Sequence, residues 1–335
     1  MSSSIGAEGK EVSSSERTTR KLHVPVFLQE VLQYLAQPNA RLIDGTLGDA
    51  GHAKELLSKS GDESELLGLD MDTEGLERAK KELEVFGNRA RVMHESFANI
   101  GSAVEKANFH APTGILFDLG MSTHHLQAER GFSFKNSGSL DMRFDPTGSL
   151  NLPSPSLISL QRIARKNPAY TAADLLNLLH EDEIAEIIMQ FGEERFAERI
   201  AEEVVAERRR GDFSTVTQLI PVIVRAYPAG ARHGKIHVAT RTFQALRIAV
   251  NREYETLEQG IKQALKLLAP KGRLAIISFH SGEDRIVKQS FKRAEQTGEY
   301  VLHTKHPIKP KFLEIKSNNW SRSAKLRVIE KGTGE

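Results

Sequence analysis

The chain has no cysteine. That absence excludes a disulfide framework, a thiolate metal site and a cysteine nucleophile, and it fits a reducing cytoplasm. Long apolar runs are missing as well. Nothing approaches the roughly 18 consecutive apolar residues that would span a bilayer, so no membrane segment is expected. Charge of one sign is scarce: the net charge is +2 over 335 residues. No global field therefore imposes a polyanionic partner. The first 20 residues hold six serines, three glutamates, two arginines and a lysine, with no apolar core. They are not a secretory signal, and their acids argue against a transit peptide. Residues 1–21 read as a disordered tail. The remainder, in a chain 39% hydrophobic, can bury a real core as one large domain or two ordinary ones.

The stretch Asp44-Gly45-Thr46-Leu47-Gly48-Asp49-Ala50-Gly51-His52 organises the rest. Leu42-Ile43 leads in as the end of a buried strand. Ala53, Leu56 and Leu57 then fall on one face of a helix. Three glycines between strand and helix let the backbone turn tightly and approach a ligand, and the helix start offers unpaired amides. A tight turn with no ligand is the bland alternative. The second strand, Glu65 to Asp70, ends in an acid 25 residues after Gly45. A carboxylate there takes ribose hydroxyls in a nucleotide site. Capping the next helix is the alternative role, but Asp72 or Thr73 can do that. Strands and helices keep alternating through Arg91–His94 and Ile115–Leu119, which predicts a parallel sheet with covered faces. Phe97 follows the third strand and reads as a core residue or as the apolar wall of a cofactor ring. Asp118-Leu119-Gly120 closes the fourth strand.

The rhythm then breaks. Residues 121–150 lack periodicity, and residues 148–170 carry three prolines and read as a loop or a loosely attached segment. Thr171–Arg210 and Thr215–Ala226 are strongly helical. Arg273–Phe279 resumes the sheet, with two late strands near Tyr300–Leu302 and Lys325–Ile329. The chain divides as a tail (1–21), a first sheet part (22–125), an inserted helical block (126–236) and a second sheet part with a basic end (237–335). From Arg285 to Arg327 there are eleven lysines and arginines against three glutamates, interleaved with His303, His306 and Trp320. A solvated face is the ordinary meaning of such a run, but the excess points to a polyanion. His233, His237 and His280 show no metal-ligand spacing, and no metal is expected.

Further motifs carry a specific resemblance: His23-Val24-Pro25-Val26, Asp118-Leu119-Gly120-Met121-Ser122, Glu129-Arg130-Gly131-Phe132-Ser133-Phe134, Leu140-Asp141-Met142-Arg143, Asp145-Pro146-Thr147, Gly192-Glu193-Glu194-Arg195-Phe196-Ala197, Ala239-Thr240-Arg241-Thr242-Phe243-Gln244-Ala245-Leu246-Arg247, Ile277-Ser278-Phe279-His280-Ser281, Glu283-Asp284-Arg285-Ile286-Val287-Lys288 and Arg322-Ser323-Ala324-Lys325-Leu326-Arg327. With the glycine turn they span residues 23–330, and the chain resembles the MraW family. The resemblance implies a Rossmann-like α/β methyltransferase sheet with an inserted helical domain for substrate recognition. It implies S-adenosylmethionine as cofactor and the exocyclic N4 of one cytidine in small-subunit ribosomal RNA as target, within an assembled subunit. A homodimer is compatible with it. Carried over by position, Ala50, Gly51, His52, Asp70, Phe97, Asp118 and His125 contact the cofactor. The family usually has Gly at Ala50, Gln at His125 and Leu at Gly282. Residues 148–170 look like an insertion.

A cytosine amino group is a poor nucleophile and needs an acceptor to polarise its N–H and take a proton. Asp118 is the first choice for that role or for holding the cofactor. His125 and Asp141 are weaker candidates, with pairing to Arg143 the alternative for Asp141. No D/N-P-P-Y/F motif is present. Glu129, Arg130 and Phe132 would line the base entrance, and Phe132 or Phe134 could stack on a flipped base or pack in a core. RNA contacts are expected after Arg285 and at Arg232, His233, Lys235, Arg241 and Arg247. Two rivals use the same sheet: a nicotinamide-dependent dehydrogenase, tested by cofactor co-purification, and a non-catalytic RNA-binding assembly factor, tested by S-adenosylmethionine affinity.

Overall fold

A computed structural model describes residues 25–134, 137–234 and 236–334. The expected tail, the His23-Val24 start of the first motif and Lys235 lie outside them. Helix α1 (Leu28–Leu35) precedes β1 (Arg41–Asp44), and the glycine turn leads into α2 (Gly51–Lys59). Alternation continues through β2 (Glu65–Asp70), α3 (Thr73–Leu83), β3 (Ala90–His94), α4 (Ile100–Ala107) and β4 (Gly114–Asp118). A helical block follows: α5 (Thr123–Gln127), α6 (Ile158–Lys166), α7 (Ala172–Leu178), α8 (Glu181–Gly192), α9 (Ala197–Arg208), α10 (Val216–Ala226) and α11 (Thr240–Asn251). The chain returns to the sheet with α12 (Glu253–Leu267), β5 (Arg273–Ser278), α13 (Ser281–Glu295), β6 (Tyr300–Leu302), α14 (Phe312–Ser317) and β7 (Lys325–Lys331).

The strands form one sheet in the order β3-β2-β1-β4-β5-β7-β6. The first five are parallel, and β7 runs antiparallel to both β5 and β6. Side chains alternate across a strand, and here both faces are apolar. Ile43, Leu67, Ile115, Phe117 and Ile276 meet α4, α12 and α13 on one side. Leu42, Leu66, Leu116, Ala275 and Ile277 meet α1, α2 and α3 on the other. That explains why the strands read as unbroken apolar runs rather than alternating ones. Strand order reverses between β1 and β4, so the crevice outside their carboxyl ends is where this topology binds ligands. The glycine turn, Asp70 and Asp118 all stand there.

The helical block has its own apolar core, running from Phe132 through α6–α11 to Val250. Thus α11 packs with the inserted helices although it follows residue 236. Residues 148–170 are not the loose segment expected. Their prolines bracket α6 instead of interrupting it, and Leu160 and Ile163 sink into the core. Arg252, 6% exposed and in a left-handed conformation between α11 and α12, donates to the carbonyls of Leu152, Pro153 and Pro168. Distant pinning of this kind leaves no local sequence signal. Tyr170 Oη donates to Ala249 O, and Asn251 bridges Met142 O and Phe144 N–H, closing the block onto the start of α12.

Candidate active site

The glycine turn is shaped by contacts as well as by backbone freedom. A Cβ on Gly45 would sit 2.5 Å from the Phe117 ring and 2.9 Å from Phe97 Cβ, so only hydrogen fits against those side chains. Gly48 has φ +52°. Ala50, the residue before α2, has φ 63° and carries a Cβ in that left-handed region, which costs roughly 1 kcal/mol. Gly51 abuts Pro25, where a Cβ would lie 2.7 Å from the ring. The first turn of α2 leaves its leading amides without intrahelical acceptors.

Asp70 locks this turn. Its Oδ2 accepts from Gly48 N–H at 2.7 Å and its Oδ1 from Asp72 N–H at 2.8 Å. Burial pushes its carboxyl above the usual range. Asp72 caps α3, as anticipated, by accepting from Glu74 N–H. It also faces His125 Nε2 at 3.2 Å and Arg130 Nη2 at 3.5 Å. Burial works against its ionisation, but His125 and Arg130 outweigh it and hold the carboxyl low. His125 accepts from Ser122 N–H and lies between Phe132 and Phe144. Its remaining ring nitrogen is therefore turned to Asp72. The linkage of His125, Asp72 and Arg130 crosses from the helical block to the sheet and had no sequence signature.

Asp118 stands at the centre of the rim. Its N–H donates to Thr46 Oγ1 at 2.6 Å, while Thr46 N–H donates to Asp44 Oδ1 at 3.1 Å. His52 Nε2 lies 2.9 Å from Val26 O, and a carbonyl can only accept, so Nε2 carries the proton. Nδ1 then faces Asp118 Oδ2 at 3.5 Å. Burial, with the charges of Asp44 and Glu283, raises the Asp118 carboxyl well above its ordinary value. Burial likewise lifts Asp44 to about 7, helped by the charge of Asp70 and opposed by Thr46. Asp118 Oδ1 is buried and has no hydrogen-bond partner among the described residues. Three carboxyls thus crowd one rim, favouring a ligand that brings hydrogen-bond donors or positive charge.

The other expected site residues separate into two groups. Phe97 packs on Phe117 with ring centroids 4.6 Å apart and sits against Gly260, a core position beneath the turn. Phe132 is 6% exposed and stacks on Phe144, so it packs in the core. Phe134 stacks on His237, 4.6 Å between centroids. Asp141 is held bidentately by Arg143 at 2.8 and 2.7 Å, the pairing alternative. Arg130 donates to the carbonyls of Arg143 and Phe144, whereas Glu129 is exposed. Arg247 is not an RNA contact: it is buried and donates two hydrogen bonds to the Glu253 carboxylate, at 2.7 and 2.9 Å. Lys325 and Arg327 both bind Asp284, which removes them from the exposed basic run.

Glu253, His280 and Glu283 converge closely enough to share a cation, a grouping unseen in their spacing. Their charges are already met. Arg247 neutralises Glu253, and Glu283 accepts from the N–H groups of Phe279 and His280. Nearby, Tyr254 Oη occupies the space where a side chain on Gly282 would begin. A cavity of about 530 Å³ lined by Arg41, Glu65, Arg91 and Asn108 lies at the amino ends of the strands, away from this rim.

The model of the MraW methylase family matches residues 20–153 and 161–332. The gap falls inside the segment that reads as an insertion. The chain is 41% identical over 327 residues to a protein of Citrifermentans bemidjiense named Ribosomal RNA small subunit methyltransferase H, covering 92% of this chain and 98% of that one. A protein of the same name from Symbiobacterium thermophilum is 40% identical over 326 residues, covering 92% and 96%. Among solved structures, an rRNA methylase from Streptococcus thermophilus overlaps 91% of this chain and 94% of its own, with TM-score 0.39 and 10% identity.

Proposed function

This chain belongs to the MraW methylase family, and we propose that it methylates the exocyclic N4 of one cytidine in small-subunit ribosomal RNA, using S-adenosylmethionine. The observation that carries the reading is the carboxyl rim at the strand-order reversal, with Asp118 Oδ1 buried and unpartnered at its centre. The rim fits this cofactor. A ligand with ammonium and sulfonium charge relieves the crowding of Asp44, Asp70 and Asp118, and the orphaned oxygen needs a donor. Gly51, Ala50 and the α2 amides would hold its amino-acid end, Asp70 its ribose, and Phe97 and His125 would flank the site. When bound, the cofactor supplies a methyl group already activated on sulfur.

The protein's own part is orientation and proton handling. The lone pair of cytosine N4 is spread into the ring, so polarising its N–H is the task left to a side chain. Asp118 Oδ1 accepts that hydrogen, and the raised affinity of the carboxyl for a proton lets it keep what it takes. His52 Nδ1, opposite Oδ2, can share the proton, and Val26 O fixes the ring for this. The helical block, residues 126–236, recognises the substrate, which is the assembled subunit. The enzyme works in the cytoplasm. Among the described residues no helix is long and apolar enough to cross a membrane. The non-catalytic reading is not favoured, because the rim keeps each carboxylate and the relatives carry the names of methyltransferases.

The test is transfer from radiolabelled S-adenosylmethionine to small subunits taken from a strain lacking this activity, with the label mapped by nuclease digestion and mass spectrometry. Label on N4 of a single cytidine is the expected result. Label elsewhere, or none with the cofactor bound, overturns the proposal.

A further inference from the structure

Exposed apolar side chains scattered singly need no explanation, but one short segment collects three. Phe312 and Leu313 on α14 are 77% and 76% exposed, and Trp320, in the turn packed behind α14, is 59% exposed. Lys309, Lys311, Lys316 and Arg322 flank them in the chain and are exposed as well. Glu314, the acid of this segment, turns inward and accepts from Phe27 N–H at 2.7 Å. What remains outward is aromatic, aliphatic and positive.

The segment is tied to the rim. Glu314 holds Phe27, the neighbouring Val26 O holds His52 Nε2, and His52 Nδ1 faces Asp118 at 3.5 Å. Lys311 also reaches Glu30 on α1, 3.6 Å away. Three short contacts therefore connect α14, through Glu314, to the central carboxyl. We propose that α14 and the turn behind it form a stacking platform for unpaired ribosomal RNA nucleotides beside the target cytidine. The occupant follows from charge and shape. Flat exposed rings flanked by cations suit bases and phosphates of a single strand. A second copy of the chain would bring the same cations face to face in a two-fold contact. The proposal rests on the RNA reading above and adds which surface holds the strand.

Trp320 is the single tryptophan of the chain, so its emission reports on this surface alone. The full-length protein is titrated with a short single-stranded oligocytidylate, then with duplex RNA of the same length. The platform requires saturable quenching by the single strand and little by the duplex. Phe312→Ala should weaken single-strand binding about tenfold, the fold-change of one lost stack. Phe312→Tyr should restore it. Replacing Lys309 and Lys311 by alanine should reduce the slope of log K against log salt by about 1.4. Unquenched Trp320 in a protein that still methylates small-subunit RNA overturns the platform and leaves the enzyme reading standing. Absence of both transfer and quenching defeats the enzyme reading as well. Emission that changes with protein concentration alone, or on adding ribosomal proteins without RNA, assigns the patch to a protein contact and overturns the proposal.

Discussion

Replacing Asp44 with asparagine should stabilise the ligand-free fold above neutral pH. Asp44 closes β1, is 2% exposed, and lies behind Thr46 and near Asp70. Burial is the main reason its carboxyl rises from 3.8 to about 7; the charge of Asp70 adds to this and the Thr46 hydrogen bonds oppose it. The folded value exceeds the unfolded one, so folding favours the protonated form. The associated stability is fully present below the unfolded pKa and is lost as pH rises through about 7. A shift of roughly three units corresponds to at most about 4 kcal/mol. Relaxation and water entry reduce this, so about 2 kcal/mol is expected at about pH 8.5. Asparagine is neutral throughout and keeps an oxygen for Thr46 N–H. The advantage of Asp44→Asn should be near zero at about pH 4, appear between about pH 5 and 7, and plateau above. Urea unfolding without cofactor, at matched m-values, measures it. A difference that stays flat with pH, or a destabilised variant at high pH, would refute a carboxyl buried at a cost.

Other consequences follow from the same rim and from the pinning of residues 148–170. Asp118→Asn should lower single-turnover transfer by about 10²- to 10⁴-fold while changing cofactor affinity less than about tenfold; equilibrium dialysis beside quench-flow separates the two, and a loss confined to affinity would make Asp118 a holding residue. Wild-type transfer should rise with pH through the elevated Asp118 pKa, because the acceptor must be ionised, and a pH-independent rate under single-turnover conditions contradicts this. Gly45→Ala forces a methyl against Phe117 and Phe97, so about 1–3 kcal/mol of stability should be lost together with cofactor affinity. Arg252→Met strands three carbonyls and should make residues 148–170 a new site of limited proteolysis, with about 3 kcal/mol lost in urea unfolding.

The order of strands and helices was legible because each sheet strand buries both faces and so appears as an apolar run between turn signals. Asp70 and Asp118 stood out because acids close two such runs, and the glycines because a tight turn needs them. Ordered motifs over most of the chain carried the family and its inserted helical block. Side-chain partners were beyond reach. Asp70 accepts from Gly48 and Asp72, His125 faces Asp72, and Arg247 is buried with Glu253; no sequence signal showed these partners, and the last of them overturns the offer of Arg247 to RNA. Likewise α6 exists because Leu160 and Ile163 find a core built by helices far along the chain, and Arg252 pins its flanks. Periodicity and turn chemistry act over a few residues, so the sequence alone determined the sheet strands, most of the helices, their alternation and the family. Burial, charge pairing and proton sharing depend on neighbours remote in the chain, so only the tertiary structure decided which polar groups are used up in the fold and which, like Asp118 Oδ1, are left for chemistry.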